Sequence, residues 1–317
     1  MQRKTLGTTG FEIAPIVFGG NVLGWTTDEA QSFRVLDAFI DHGFDTIDTA
    51  DVYSAWADGH SGGESETVLG KWFAARPGMR DKVKLFTKVG SDMGGPGEKG
   101  LSKGWISQAV EKSRERLQVE TIDLYFSHWP DPDVDHAETL VAYDTQLKAG
   151  KIRAIGASNY DAGLLAAALE TAENEGLPAY QVVQPEYNLY DRAAFEGPLQ
   201  DLCLKNDIGV VTYFSLAAGF LSGKYRSGAD LSGRKRAGMV EKYMTERGMR
   251  LLDALEDIAS AHAAKPAEVS LAWLMAQKGV TAPIASATSV AQVESFARAA
   301  DLNLSAEDLA RLTAAGA

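Results

Sequence analysis

Cysteine is nearly absent from this chain, which carries one, Cys203, among its 317 residues. One thiol cannot form an internal disulfide, so a disulfide-stapled extracellular scaffold is excluded and a reducing compartment is indicated. No stretch approaches the roughly 18 apolar residues of a membrane-spanning helix, and no apolar run of signal-peptide length follows the N-terminal charges. We therefore expect a cytoplasmic protein that does not cross a membrane.

Positive charge is also scarce, because 31 lysines and arginines stand against 43 acidic residues, for a net charge of −12. Such a surface repels polyanions at long range, which argues against nucleic acids and anionic membranes as partners. A nucleotide cofactor is still compatible with this charge, since it needs only backbone N–H groups and one or two cations. A small-molecule partner is therefore predicted, and the sequence does not indicate an oligomeric state.

Several motifs of other enzyme classes are missing or out of place. Residues 95–100 match G-x-G-x-x-G, but proline and charged residues stand where a Rossmann turn must be tight. Ser61 lies in a G-x-S-x-G match, yet an irregular loop precedes it, not the strand that a hydrolase nucleophile requires. The five histidines show no metal-ligand spacing, and no tyrosine is followed four positions later by lysine. We therefore predict no Rossmann site, serine hydrolase, short-chain dehydrogenase or metal centre.

Short β-branched runs alternate with longer segments of helical periodicity along the chain. Eight strands are predicted, over residues 14–19, 44–48, 83–88, 122–128, 154–158, 181–185, 209–214 and 280–285. Eight strand–helix units favour a closed α/β architecture, the (β/α)8 or TIM barrel, and account for residues 1–317 as one domain. A β-hairpin is predicted within residues 1–12, and a helical extension at the C-terminus. Long loops follow strand ends at residues 54–63, 90–100 and 222–240.

Ionisable side chains stand at the ends of three neighbouring predicted strands. Asp48 ends the second strand, Lys88 the third and His128 the fourth. These ends meet at the mouth of a barrel, the face on which such folds carry their active sites. One such residue alone could equally belong to a structural ion pair. Together, and with Tyr53 five residues beyond Asp48, they predict a catalytic site.

Motifs at these positions resemble those of the aldo-keto reductases, and the resemblance covers the whole chain. It rests on residues 43–53, 124–131, 150–159, 184–188, 213–216 and 219–225. The resemblance implies a (β/α)8 barrel, a nicotinamide cofactor bound without a Rossmann fold, and a catalytic tetrad. The tetrad residues are Asp48, Tyr53, Lys88 and His128. Carbonyl reduction puts negative charge on the oxygen, so a proton donor is needed there, and the resemblance implies that Tyr53 is this donor.

The other members of the tetrad have supporting roles in this interpretation. A tyrosine of ordinary pKa is a weak acid at neutral pH. We expect the ammonium group of Lys88, held charged by Asp48, to lower the pKa of Tyr53. His128 would orient the carbonyl group by donating a hydrogen bond to it.

The resemblance also implies the residues that bind the cofactor. Around the nicotinamide, they are Gly20, Asn21 and Asp48 near the ribose, Ser158, Asn159 and Gln184 at the carboxamide, and Tyr213 stacked on the ring. At the pyrophosphate, they are Phe214, Ser215, Leu216 and Gly219, with Lys224 as a cation. At the adenosine end, they are Ser286, Thr288 and Gln292.

Three segments depart from the family pattern. Residues 213–216 read Tyr-Phe-Ser-Leu instead of Tyr-Ser-Pro-Leu, residues 284–286 read Ile-Ala-Ser instead of Ile-Pro-Gly, and Phe296 replaces an asparagine. No arginine or lysine lies among the adenosine-end residues, although a 2′-phosphate normally attracts a cation. The resemblance implies NADPH as the cofactor, with NADH as the alternative.

Aromatic residues at the predicted mouth indicate the kind of substrate. Trp25, Trp56 and Trp129 are predicted to contact it together with His128, and their rings favour an apolar or ring-faced molecule. We predict an NADPH-dependent reductase of aldehydes or ketones. One alternative is an NAD(P)-dependent dehydrogenase that oxidises a sugar or secondary alcohol. Another is a cofactor-binding redox sensor with slow catalytic turnover, similar to potassium-channel β-subunits built on this fold. The complete tetrad favours the enzyme.

Overall fold

The computed structural model of this chain describes residues 1–227 and 237–317. The chain begins with an antiparallel hairpin of strands β1 (Lys4–Thr5) and β2 (Glu12–Ile13), which confirms the predicted N-terminal hairpin. Leu6 and Ile13 are fully buried among the side chains that fill the barrel interior. Gly7 has a φ of +51°, and a Cβ atom there would collide with the backbone nitrogen of Gly209. The hairpin therefore closes the floor of the barrel by direct backbone contact.

Eight parallel strands of the described chain form a closed barrel, in which each strand pairs with the next and the last pairs with the first. The strands are β3 (Val17–Gly19), β4 (Thr46–Asp48), β5 (Lys84–Val89), β6 (Ile122–Ser127), β7 (Ile152–Ser158), β8 (Val182–Gln184), β9 (Gly209–Thr212) and β10 (Ala282–Ala285). This arrangement confirms the predicted (β/α)8 barrel.

Helices surround the barrel and connect its strands. They are α1 (Glu29–Asp41), α2 (Glu64–Ala74), α3 (Lys103–Leu117), α4 (His136–Lys148), α5 (Ala162–Glu175), α6 (Pro198–Lys205), α7 (Ala237–Val240), α8 (Glu246–Ala261), α9 (Pro266–Ala276), α10 (Val290–Asp301) and α11 (Ala306–Ala315). Asp28, Asp135 and Asp161 begin α1, α4 and α5 by accepting a hydrogen bond from the first turn. Among the helices of residues 1–227 and 237–317, none is long and apolar enough to cross a membrane.

The first barrel strand is shorter than predicted. Residues 14–19 were expected to be extended, but β3 begins at Val17. Pro15 has no N–H group to pair, and the N–H of Ala14 donates to the Asp45 carboxylate at 3.1 Å. The start of this segment is therefore held by a side chain instead of a neighbouring strand.

The parallel register brings the C-terminal ends of neighbouring strands to one face of the barrel. Lys88 of β5 pairs with Phe126 of β6, and Ser158 of β7 pairs with Gln184 of β8. Asp48 is the last residue of β4. Side chains at and just beyond these positions therefore surround one opening, which we call the mouth.

Two of the predicted mouth loops, residues 54–63 and 90–100, contain neither helix nor strand. No strand runs into Ser61, and residues 95–100 do not form a strand-to-helix turn. The third loop, residues 222–240, ends in helix α7, and its residues 228–236 lie outside the part of the chain that the structure describes.

Candidate active site

A buried ion pair forms the centre of the mouth. The Nζ atom of Lys88 donates to Asp48 Oδ2 at 2.6 Å, to the Thr49 carbonyl at 2.8 Å and to the Tyr53 hydroxyl at 2.9 Å. Lys88 has no exposed surface. The other oxygen of Asp48 accepts from Gln184 Nε2 at 2.9 Å. All three N–H bonds of the ammonium group are thus engaged, and one of them points at Tyr53.

The turn after β4 delivers Tyr53 to this ion pair. The backbone N–H of Thr49 still donates to Phe86 of β5 at 2.8 Å, and that of Tyr53 donates to Ala50 at 3.2 Å, which closes a tight turn. Ser54 then adopts a φ of +78°, and its hydroxyl donates to the Leu23 carbonyl at 2.8 Å. A non-glycine residue in this region is strained, so the buried hydrogen bond of Ser54 holds the turn in place.

The electrostatics of the pair differ from the sequence-based expectation. Burial raises the pKa of Tyr53 well above its usual value, and the carboxylate of Asp48 raises it further. Burial also lowers the pKa of Lys88, while Asp48 acts against that shift. The expectation that Lys88 lowers the pKa of Tyr53 is therefore wrong for this structure, because burial and Asp48 both disfavour a phenolate. Tyr53 keeps its proton at neutral pH.

His128 faces Tyr53 across the mouth, with the two ring centroids 6.0 Å apart. Its Nδ1 atom lies 3.2 Å from the Ser91 hydroxyl, which leaves Nε2 for a ligand. Burial, together with the charge of Lys88, lowers the pKa of His128 well below its usual value. The ring is therefore neutral at physiological pH. Sequence reasoning missed Ser91, whose place two residues beyond β5 was a usable signal.

A chain of polar side chains continues from His128 along the ends of β7, β8 and β9. Asn159 donates to the His128 carbonyl at 2.9 Å and accepts from the Tyr213 hydroxyl at 2.6 Å. Ser158 donates to the Gln184 carbonyl at 2.9 Å, and Gln184 reaches Asp48 as described above. The structure therefore brings the predicted carboxamide-binding residues together with the tetrad in one hydrogen-bonded network.

The backbone just after β9 contains four residues with positive φ angles. Phe214 has a φ of +53°, Ala217 of +48°, Ala218 of +55° and Gly219 of +98°. Backbone strain of this kind concentrates at functional sites. Within the turn, the N–H of Ala217 donates to the Phe214 carbonyl at 2.7 Å and that of Gly219 to the Leu216 carbonyl at 2.8 Å. Ser215 and Leu216 lie inside this turn, and the Ser215 hydroxyl donates to Thr212 at 3.0 Å.

Lys224 is the predicted cation near this turn. Its Nζ atom lies 4.9 Å from the centre of the Tyr225 ring. A Cβ atom built on Gly219 would be 3.3 Å from the same nitrogen. The Lys224 ammonium group therefore lies beside the curved backbone.

The ends of the first and last barrel strands meet on the other side of the mouth. The Ser286 hydroxyl donates to Asn21 Oδ1 at 2.6 Å. Gly20 lies against β4, where a Cβ atom would be 2.9 Å from the Asp48 carbonyl oxygen. The N–H of Thr288 donates to Gln292 Oε1 at 2.6 Å. The predicted adenosine-end residues therefore adjoin the predicted ribose contacts.

Tryptophan rings form the rim of the mouth. Trp56 and Trp129 are 49% and 47% exposed. Trp25 packs edge-to-face on Trp56 with centroids 5.5 Å apart, and Trp56 lies 5.9 Å from the Tyr53 ring. Trp129 stacks on His128 at 5.5 Å. The three predicted substrate contacts therefore surround the two residues that would meet a carbonyl oxygen.

Asp51 is a buried carboxyl group behind the mouth that sequence reasoning missed. It is 1% exposed, and neither oxygen has a hydrogen-bond partner of normal geometry among the described residues. It lines a cavity of about 180 Å³ that Trp105 and Arg116 also line. Burial, with the nearby charge of Glu66, raises the pKa of Asp51 well above its usual value. Its position in the sequence, three residues after the predicted catalytic residue Asp48, could have identified it as a residue of the site.

Replacing Asp51 with Asn is expected to stabilise the protein at neutral pH. Well below a pH of about 4, Asp51 is protonated in both folded and unfolded chains. As the pH rises towards the folded-state pKa, the unfolded chain releases a proton that the folded chain keeps, so wild-type stability falls. The variant lacks this loss, which amounts to about 1.4 kcal/mol for each pH unit between the two pKa values.

Urea unfolding of both proteins between pH 4 and 8 measures this difference. The exposed Asp58→Asn exchange is the matched control, and it should give no pH-dependent gain. A constant difference between wild type and Asp51→Asn at all pH values would show that the Asp51 carboxyl does not carry a raised pKa.

The described residues contain no group of three or more His, Cys, Asp or Glu side chains arranged to hold a metal ion.

Comparison with known proteins gives matches along nearly the whole chain. The profile of the Aldo/keto reductase family matches residues 15–317. The uncharacterized oxidoreductase YrpG of Bacillus subtilis is 33% identical over 318 residues, which cover 98% of this chain and 95% of YrpG. L-glyceraldehyde 3-phosphate reductase of Escherichia coli O157:H7 is 28% identical over 98% of this chain and 91% of its own length. A probable voltage-gated potassium channel subunit beta of Arabidopsis thaliana is 28% identical over 95% and 92%.

Proposed function

The chain belongs to the aldo/keto reductase family, and we propose that it reduces an aldehyde or ketone to an alcohol with NADPH, with Tyr53 as proton donor. One observation carries the proposal: Lys88 Nζ bridges Asp48 and the Tyr53 hydroxyl at 2.6 and 2.9 Å. This contact gives the half-buried phenol of Tyr53 a fixed orientation towards the mouth. An oxidoreductase of this family acts on a small molecule, and the charge of −12 agrees with such a partner.

NADPH, when bound, supplies the hydride. Tyr53 holds a proton at its hydroxyl, since burial and Asp48 raise its pKa. As charge develops on the carbonyl oxygen, the hydroxyl can donate to it, and the Lys88 ammonium group stabilises the oxygen that Tyr53 is left with. His128, neutral and fixed by Ser91, donates a second hydrogen bond from Nε2. This bond orients the carbonyl group and shares its charge.

The mouth also fits the parts of a nicotinamide dinucleotide. The amides of Asn159 and Gln184 offer both donors and acceptors, as a carboxamide requires. The turn at residues 214–219 holds strained backbone beside the Lys224 ammonium group, which can meet the negative charge of a pyrophosphate. Tyr213 lies between these two regions. We propose these residues, with Gly20 and Asn21, as the cofactor contacts.

Parallel fluorescence titrations with NADPH and NADH test the cofactor assignment. We expect NADPH to bind more tightly. Tighter binding of NADH would overturn the NADPH assignment and favour the dehydrogenase direction, in which Tyr53 accepts the proton from an alcohol.

A cofactor-binding sensor is the second candidate function, because the channel subunit of Arabidopsis thaliana matches 95% of this chain. Mixing the NADPH-bound protein with excess reactive aryl aldehyde in a single turnover separates the two functions. Oxidation of the bound NADPH within seconds supports the enzyme, whereas oxidation over many minutes supports the sensor.

The rim of Trp25, Trp56 and Trp129 supports an apolar or ring-faced carbonyl substrate.

We propose that the protein acts in the cytoplasm, because its single cysteine cannot form an internal disulfide. This cysteine, Cys203, is buried, and burial raises its pKa to about 12, so its thiol is inert.

A further inference from the structure

The first helix reaches the loop that follows the last barrel strand. Gln31 of α1 donates from Nε2 to the Thr288 carbonyl at 3.0 Å. Arg34 lies three residues further along α1, and its Nε and Nη2 atoms donate to Gln31 Oε1 at 3.1 and 2.6 Å. The side chain of Arg34 is exposed. A guanidinium group therefore lies two hydrogen bonds away from the predicted adenosine-end residues, although α1 is distant from them in sequence.

The charge of Arg34 is not neutralised by a carboxylate within residues 1–227 and 237–317; its contacts go to Gln31. Other cations near it are paired: Lys71 with Glu29 at 2.7 Å, and Arg298 with Glu268 at 2.8 Å. Among the described residues, Arg34 is thus a cation at this edge of the barrel whose charge is available to an anionic ligand.

The facing loop presents hydrogen-bond donors but no cation. The backbone N–H of Thr288 can only donate, and it donates to Gln292 Oε1 at 2.6 Å. The side-chain oxygen of Gln292 therefore faces Thr288, and its Nε2 group points away from Thr288. Ser289 precedes α10 without a side-chain cap, so the first N–H groups of this 12-residue helix remain open to an anion. Ser286 adds a hydroxyl group.

We propose that Arg34 binds the 2′-phosphate of the cofactor and makes this chain prefer NADPH to NADH, an inference that rests on the proposed function. A phosphomonoester carries nearly two negative charges, which neutral donors alone compensate poorly. The planar guanidinium group can engage two phosphate oxygens at once. The exposed Arg34 side chain can exchange its bonds to Gln31 for the phosphate while Gln31 stays on Thr288.

The test compares nucleotides that differ by this phosphate. Isothermal titration of wild type and Arg34→Gln with 2′,5′-ADP, 5′-ADP, NADPH and NADH measures each dissociation constant. We expect the variant to bind 2′,5′-ADP and NADPH about 10- to 100-fold more weakly, the range for a hydrogen bond to a charged group. Binding of 5′-ADP and NADH should not change. The wild-type preference for 2′,5′-ADP should weaken with rising salt, whereas that of the variant should not.

Two further variants sharpen the result. Arg34→Lys should recover part of the affinity because it keeps the charge, and Arg250→Gln, an exposed arginine on α8, should change nothing. Unchanged NADPH binding in Arg34→Gln, or an equal loss for NADPH and NADH, would overturn the role of Arg34. If wild type reduces an aldehyde with NADH but does not favour 2′,5′-ADP over 5′-ADP, the inference fails while the reductase function stands. If neither dinucleotide binds, the proposed function itself fails.

Discussion

Replacing Tyr53 with Phe is expected to lower the turnover number for carbonyl reduction by about 10²- to 10⁴-fold, the usual contribution of a general acid. The exchange removes one oxygen atom, which accepts from Lys88 at 2.9 Å and carries the proton that the carbonyl oxygen needs. Lys88 keeps Asp48 and Thr49 as partners, so the ion pair survives. Initial rates of NADPH oxidation with an aryl aldehyde measure the loss, and NADPH titration checks that cofactor binding persists.

Tyr190→Phe is the matched control. Its hydroxyl makes a side-chain hydrogen bond to Thr245 at 3.0 Å, but Tyr190 lies outside the mouth network. This variant should retain the wild-type rate. Near-wild-type turnover in Tyr53→Phe would show that another group donates the proton, and the neutral His128 would then be the first to examine.

Replacing Lys88 with Met is expected to destabilise the fold by about 3–5 kcal/mol and to lower turnover as well. Asp48 is 1% exposed, and without Lys88 its charge would be buried with Gln184 as its remaining close donor. Loss of one partner of a buried ion pair costs about this much because the other charge is left uncompensated. Urea unfolding at neutral pH measures the change.

Arg153→Met serves as the comparison for this stability effect. Arg153 also pairs with a buried carboxylate, that of Asp123, but it is 60% exposed and Asp123 keeps Arg80 at 2.7 Å. We expect a loss of at most about 1 kcal/mol. The double variant Asp48→Asn with Lys88→Met should recover part of the Lys88→Met loss, because no charge then remains buried. No recovery would mean that packing of the lysine stem, and not its charge, stabilises the site.

Much of the fold and part of the site could be predicted from sequence because the signals are local. Alternation of strands and helices indicates a barrel, and strand ends in such a barrel share one face. Asp48, Lys88 and His128 could therefore be brought together without coordinates. The hydrogen bond from the N–H of Ala14 could not be predicted, since its acceptor Asp45 lies 31 residues further along the chain, just before β4.

Other features of the site depend on contacts between distant segments. The direction of the Tyr53 pKa shift is one of them, because burial raises this pKa and the nearby carboxylate of Asp48 raises it further. Sequence places Lys88 near Tyr53 but does not say how much water reaches either group. The solvation of the pair follows from the packing of the surrounding loops.

The residue order alone was enough to predict the parallel barrel, the floor hairpin and the meeting of Asp48, Lys88 and His128 at the mouth, since periodicity and strand order determine each of them. Tertiary structure decided the rest: that Tyr53 stays protonated, that Asp51 is buried with no hydrogen-bond partner of normal geometry among the described residues, and that Gln31 joins Arg34 to the loop after β10. These three depend on solvent exclusion and on distances across the barrel, and neither quantity is encoded in any single stretch of the chain.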